Sequence, residues 1–448
     1  MPDQQPAQTD TRPTRATHPA GAPGAIGRRR RRLALGGAPL LAILLAAFNL
    51  RAGISSIGPV LVQVRADTGL SSTLAGLITS TPLVCFAVVG VSAPALARRF
   101  GAETVIGWSA GLLGLALLAR VTGGTATLLA GTLLACAGIA LVNVLLPVVV
   151  KTKFPTRIGI ITGVYTAALA AGSATAAAVS APLANLYGWH AALGAWGVLA
   201  LVGGAVWVAV MRSRGGLGSG PGDPAGSAGS AESVESADSS LGRGTPLSHL
   251  VRQPMVWALA VFFGTQAVLA YVQMGWLPTI FSDAGFSAGE SGLLLSVSIL
   301  AGVPVAFLAP ALAARRADQR PWTVGLTLVS MAGVTGLLLA PAQGAWVWAV
   351  MLGIGSGTFP LVLSLFGLKT RSPSSTAAVS AFGQSVGYLI AAVGPFGFGL
   401  LHDARGGWSL PLTGVLVVLA VQVLAGAVAG RPVIIPDPAE VTTTTMSA

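Results

Sequence analysis

Charge is scarce in this chain. Only 9% of its 448 residues are Asp, Glu, Lys or Arg, and 53% are hydrophobic. A soluble domain carries about 25% charged residues, so an ordinary soluble globular protein is excluded. Cysteine is scarcer still. Cys85 and Cys136 both lie within apolar runs, which argues against a structural disulfide and for membrane-buried small hydrophobes. The four histidines, His18, His190, His249 and His402, fall in a tail, a polar segment and near loop ends. There is no HExxH pattern and no Cys/His metal spacing. None of the 14 acidic residues sits inside an apolar run, the deepest being Glu103 at the start of one. With no acid pair at membrane depth there is no catalytic constellation, no cofactor is implied, and no nucleotide-binding domain offers direct pumping by ATP. GIGSG at 353–357 lies inside an apolar run with no strand before it, so helix packing accounts for it better than a phosphate loop.

What is present is a series of long apolar runs. A membrane-spanning helix needs about 20 apolar residues, and a β-barrel would instead alternate polar and apolar positions in segments of about ten. The runs place spans at 33–62, 72–96, 102–120, 125–150, 158–183 and 190–212, then at 253–281, 288–313, 321–341, 344–368, 375–400 and 408–431. The expectation is an all-α polytopic membrane protein of twelve transmembrane helices, with the lipid bilayer as its solvent. Residues 1–32, ending in Arg28 to Arg32, read as a disordered tail with a basic stop at the inner face. A signal peptide is the rival reading, but the run that follows is too long and more spans come after it. Residues 213–252 read as a flexible Gly/Ser/Ala-rich linker, and 432–448 as a second tail.

The charges that do occur fall on one side. With both ends in the cytoplasm, all of the 26 basic residues except Arg51, Arg65, Arg120 and Arg405 lie in cytoplasmic segments. Arg65, Arg120 and Arg405 are assigned to outer loops. This bias sets the orientation and accounts for the net charge of +12 without nucleic acid as a partner. The halves also repeat. DTGLSSTLAGL from Asp67 returns as DAGFSAGESGL from Asp283, and APALARRFG from Ala93 as APALAARRAD from Ala309, each 216 residues on. The expected architecture is therefore two six-helix pseudo-repeat bundles, 33–212 and 253–431, with a site near mid-membrane between them.

Arg51 organises that site. It sits in AAFNLRAGISSIGP (46–59), in the middle of the first run. A cation at such depth costs about 2.5–3.5 kcal/mol on insertion scales unless it faces a cavity or a counter-charge. Snorkelling to the outer interface is the bland alternative. No carboxylate is expected at its depth, so the missing negative charge is assigned to a substrate. Gly53, Gly58 and Pro59 loosen the backbone, freeing carbonyls for polar contact. The other candidate substrate-binding residues are Asn49, Asn143 in span 4, Tyr165 in span 5, Gln266, Tyr271, Gln273 and Trp276 in span 7, and Gln384 and Tyr388 in span 11. Gln266 and Gln273 are seven apart and share a helix face, as do Gln384 and Tyr388 at i and i+4. Interhelical hydrogen bonding is the structural alternative for Asn143, and the interfacial aromatic belt for Tyr165 and Trp276.

Four segments carry a family resemblance: NLRAGISSIGP in span 1, LPVVVKTKFPTRIGIITGVYTAALAAG across spans 4 and 5, FFGTQAVLAYVQMGWLP in span 7 and SAFGQSVGYLIAAVGP in span 11. The chain resembles the major facilitator superfamily and, within it, the cyanate/2-nitroimidazole transporters, over 33–431. The resemblance implies a monomeric secondary transporter of the cell membrane, working by alternating access on a small-molecule substrate, either a cyanate-like anion or a nitroimidazole-like N-heterocycle. The alternatives are a multidrug/proton antiporter exporting neutral or cationic compounds, a membrane-embedded enzyme, and a channel or receptor. AGSATAAAVSAP matches the span 5 signature of drug antiporters poorly. Uniport, anion exchange and a proton carried on the substrate all remain open.

Overall fold

The computed structural model describes residues 24–154, 158–212, 251–371 and 373–436. The long apolar runs become helices because inside a bilayer every backbone N–H and C=O must be satisfied within its own segment. Ten helices are long and apolar enough to cross a membrane. The pair Ser72–Val88 and Ala93–Phe100, bent by 60°, makes an eleventh span. The 55-residue helix Ile158–Arg212 holds two spans, because Gly188 at φ 82° breaks it. The twelve expected spans are thus all present.

Span 1 is Gly37–Thr68, span 2 the bent pair, span 3 Ala102–Ala119 and span 4 Thr125–Lys153; spans 5 and 6 lie either side of Gly188. Span 7 is Pro254–Asp283, span 8 Ala288–Ala313, span 9 Arg320–Leu339, span 10 Ala345–Leu368, span 11 Ala378–Arg405 and span 12 Ser409–Ala429. Two boundaries differ from the sequence reading. The first helix starts at Gly24, not near 33, so Arg28 to Arg32 belong to it. Leu, Arg and Ala are good helix formers and carry the helix through Gly27, Gly36 and Gly37. At the other end Ile435 is buried and its N–H donates to the Lys369 carbonyl (2.8 Å), so the first residues of the second tail are docked. The rest of that tail, residues 1–23 and the linker interior (213–250) lie outside the described residues.

The sequence repeat is a repeat of structure. Gly69 and Gly285, 216 apart, both take positive φ (67° and 101°) and end the preceding helix, a conformation that glycine adopts without steric cost. Ser71 and Ser287 then cap the next helix, accepting from the N–H groups of Leu74 and Glu290. The Trp189 indole donates to Asp67 (2.9 Å), and the Trp408 indole to Asp283 (3.0 Å). Each half therefore fastens its first and last spans in the same way.

The halves meet along span 2 against span 11 and span 5 against span 8. Gly58 is one place where their backbones touch: a Cβ there would lie 2.2 Å from the Met274 carbonyl oxygen. On the face opposite the basic loops, Asp403 of span 11 accepts from the N–H groups of Ser72 and Thr73 and from the Thr73 hydroxyl (2.7–3.1 Å). The Ser72 hydroxyl also meets His402 Nδ1 at 3.1 Å. Ser72 and Thr73 open a helix, and their N–H groups have no partner within it. A carboxylate from the other half supplies one and also suits the positive helix end. Deeper, Phe396 N–H donates to the Ser80 hydroxyl (3.0 Å), and Phe86 meets Tyr388 at 5.4 Å between ring centroids.

Asp403→Ala removes this cap. By analogy with helix N-caps it costs about 0.5–2 kcal/mol. Hydrogen exchange at amides 72 and 73 should accelerate several-fold in Asp403→Ala, with the rest of span 2 unchanged. Unaltered exchange would show that the contact does not hold the halves.

Candidate functional site

The site is built around a break in span 1. Its helix ends at Ser55, and a short 3₁₀ turn, Gly58–Val60, precedes the helical stretch Leu61–Thr68. The break releases the Gly53 carbonyl, which accepts from the Ser56 hydroxyl (3.2 Å) and from Arg120 Nη1 (3.2 Å). The expectation that this glycine-rich stretch frees a carbonyl holds. Ser55 bonds Ser173 at 2.5 Å and ties the region to span 5.

Arg51 lies just before the break and is half-buried. Its charge acts on Tyr271 of span 7 and Tyr388 of span 11. Arg51 thus faces tyrosines of the other half. Tyr388 is held edge-on by Phe263 (5.0 Å, 86° between ring planes) and by Phe86. Beneath these rings a small enclosed cavity of about 20 Å³ is lined by Gly53, Thr132, Cys136, Tyr271, Met274 and Arg120, among others. That is room for about one water-sized group.

The remaining candidates divide. Asn143 is exposed and Tyr165 and Gln384 are half-buried. Asn143 continues the helix stripe of the cavity-lining residues Thr132, Cys136 and Ile139 toward the basic face. Gln384 Nε2 is engaged by Ser380 (2.8 Å). Gln266 and Gln273 are buried, each with one amide atom unpartnered, and neither lines the cavity. Two candidates are corrected. Asn49 turns its amide away from the cavity to the carbonyls of Leu45 (2.9 Å) and Leu199 (3.4 Å), an interhelical bond to span 6. Trp276 is fully buried among Phe398, His402 and Trp408, with centroids 5.7–6.3 Å away. It is neither a cavity residue nor part of an interfacial belt, because span 11 covers it.

Arg120 is the third correction. The sequence places it in an outer loop, yet it is 1% exposed. Span 3 ends at Ala119, and the side chain turns back under the break in span 1, with Nη2 on the Ser56 hydroxyl (3.2 Å). Gly131 of span 4 makes the room: a Cβ there would lie 2.5 Å from Arg120 Cβ. The sequence signal was available, since Arg120 directly follows an apolar run with Gly131 eleven residues on.

Neither arginine has a carboxylate partner among the described residues. Every described acid lies at a helix end or in a loop and is engaged there: Asp67 by Trp189, Glu103 by Lys153 (2.5 Å), Asp283 by Trp408, Glu290 by Ser287, Asp318 by Arg320 and Asp403 by Ser72 and Thr73. Hydrogen bonds between membrane helices return only about 0.6 kcal/mol each on average. Two of them do not offset the roughly 2.5–3.5 kcal/mol cost of a charge at membrane depth. The arrangement is thus a donor-rich, cationic, mostly enclosed site suited to a compact anion.

Comparison with known proteins agrees with this architecture. The family model for the Major Facilitator Superfamily matches residues 43–395. The 2-nitroimidazole transporter of Escherichia coli (strain K12) is 33% identical over 391 residues, covering 87% of this chain and 94% of that protein. The cyanate transport protein CynX of the same organism is 28% identical over 372 residues, covering 82% and 91%. Among solved structures, a bacterial homologue of the human lysosomal transporter Spinster superposes with a TM-score of 0.70 at 16% identity, covering 89% of this chain and 97% of that one. Twelve spans in two repeated halves, matched along most of their length by these transporters, place the chain in the Major Facilitator Superfamily.

Proposed function

We propose that the protein is a secondary transporter that moves a small anionic solute across the cell membrane by alternating access. The observation that carries this is Arg51, half-buried between the halves with no carboxylate to neutralise it. An anionic solute supplies the missing charge, Tyr271 and Tyr388 orient it, and Asn143 and Gln384 line its approach from the basic face. The names of two relatives, a cyanate and a 2-nitroimidazole transporter, support a compact substrate. The positive-inside distribution supports a cytoplasmic basic face with both chain ends on that side. Because the charge of Arg51 reaches Tyr271 and Tyr388 of the other half, a bound anion draws the halves together. The single chain holds both halves of the site and works as a monomer.

A multidrug antiporter for neutral or cationic compounds is the rival. It makes no use of Arg51, whereas an anion carrier depends on it. The test is ligand-induced thermal stabilisation of purified protein, since a ligand that binds only the folded state raises the melting temperature. Potassium cyanate, at constant ionic strength, should stabilise the wild type and leave Arg51→Gln unchanged while that variant stays folded. Equal stabilisation of both proteins by 2-nitroimidazole, with none by cyanate, would overturn the anion reading.

A second pair of variants tests the placement of span 7. Tyr271→Phe should weaken cyanate binding about tenfold or more, the effect of one lost hydrogen bond to a charged group. Trp276→Phe should leave binding unchanged. The reverse pattern would put the solute among the aromatic rings of span 11.

A further inference from the structure

Past Arg51, away from the basic face, the small cavity has an unused capacity of its own. Arg120 is 1% exposed and spends both terminal nitrogens on Gly53 and Ser56, which leaves its Nε–H without a partner. Thr132 is 3% exposed and its hydroxyl has no partner either. Both line the same cavity, and Tyr271 of the other half closes it. Buried polar groups are as a rule paired, and each exception calls for an explanation.

We propose that Arg120, Thr132 and Tyr271 form a second anion-binding station, one helical turn beyond Arg51. It takes one water-sized terminal group of an anion, such as one end of cyanate or one oxygen of formate. This rests on the anion-carrier reading above. The chemistry of the lining carries it. The unused groups there are an N–H and a hydroxyl, together with a cation. The Gly53 carbonyl released at the break is already taken by Arg120 and Ser56. An unspent guanidinium N–H beside two hydroxyls that can turn their protons inward suits an anion, and the guanidinium charge repels a cation. Size limits the ligand further, because about 20 Å³ excludes bulky organic groups.

Arginine is needed rather than lysine. Its fork holds Gly53 and Ser56 and still has Nε–H to offer, whereas an ammonium is a compact point charge without that fixed geometry. Gly131 sets the register by letting span 4 bring Thr132 beside Arg120. Tyr271 belongs to both stations, since the charge of Arg51 also reaches it. The solute thus passes from Arg51 to Arg120 without leaving Tyr271. Arg120 and Thr132 come from one half and Tyr271 from the other, so occupation of the second station pulls the halves together at the break.

The test is calorimetric titration of the purified full chain with potassium cyanate and with sodium formate at constant ionic strength. The proteins are wild type, Thr132→Val, Arg120→Lys and Arg51→Gln. Thr132→Val is the decisive variant, because it removes a hydroxyl that bonds to nothing in the free protein. It should keep the wild-type melting temperature without anion and bind about tenfold more weakly, the effect of losing a hydrogen bond to a charge. Arg120→Lys should bind at least as weakly. If it fails to fold, Thr132→Val still decides.

Three other results overturn a reading. Loss of binding in Arg51→Gln, with Thr132→Val and Arg120→Lys like wild type, removes the second station and leaves the main site intact. Loss in Thr132→Val with normal binding in Arg51→Gln keeps the station and removes the assignment of Arg51. No binding of either anion by wild type removes both.

Discussion

An uncompensated positive charge inside a low-dielectric protein is the constraint on which the centre of this molecule depends. Two guanidinium groups sit near the same break in span 1, and the described carboxylates are all engaged at helix ends or in loops. Coulomb energy falls with dielectric and distance, so a carboxylate at the far end of a span does little for either of them. The protein answers with neutral oxygens: a freed backbone carbonyl, serine hydroxyls and tyrosine. Neutral acceptors make the charge tolerable without cancelling it. The remaining attraction is what an anionic solute meets in the reading advanced here.

The break in span 1 serves this charge. An intact helix would spend the Gly53 carbonyl on its own ladder, and Arg120 would lose an acceptor. The 3₁₀ turn at Gly58–Val60 instead releases that carbonyl and brings Gly58 against the backbone of span 7. The same short stretch therefore hydrogen-bonds Arg120, leads on from Arg51 and makes one of the tightest contacts between the halves. Further from the basic face, the contact becomes polar and helix-capped, with Asp403 closing the start of span 2. An exposed cap of this kind contributes little energy, which suits the separation of the halves that the proposed alternating-access cycle requires.

Much of this was legible along the chain. Hydropathy fixes the span count because a bilayer has one thickness and the backbone one way to satisfy itself in it. The 216-residue repeat was visible as matched motifs, and its capping serines and positive-φ glycines behave alike because local turn chemistry is set by local residues. Arg51 was legible because a charge in the middle of an apolar run has few places to go. Asn49 and Trp276 were less so. A polar or aromatic side chain on a span faces a cavity, a neighbour or lipid according to the rotation of its helix, and a single sequence does not state that rotation.

Arg120 marks the boundary most clearly. As the first residue after span 3 it reads as a loop arginine, and only the tertiary structure turns it inward. The turn depends on three things far apart in the chain: the break at Ser56–Val60, the carbonyl it frees at Gly53, and the missing Cβ of Gly131. By itself, the sequence determined that the protein spans a membrane twelve times in two related halves, with one cation too deep to be idle. Which side chains meet around that cation was decided by helix rotation and backbone close approach, because these are set by packing across spans and not by any periodicity within one.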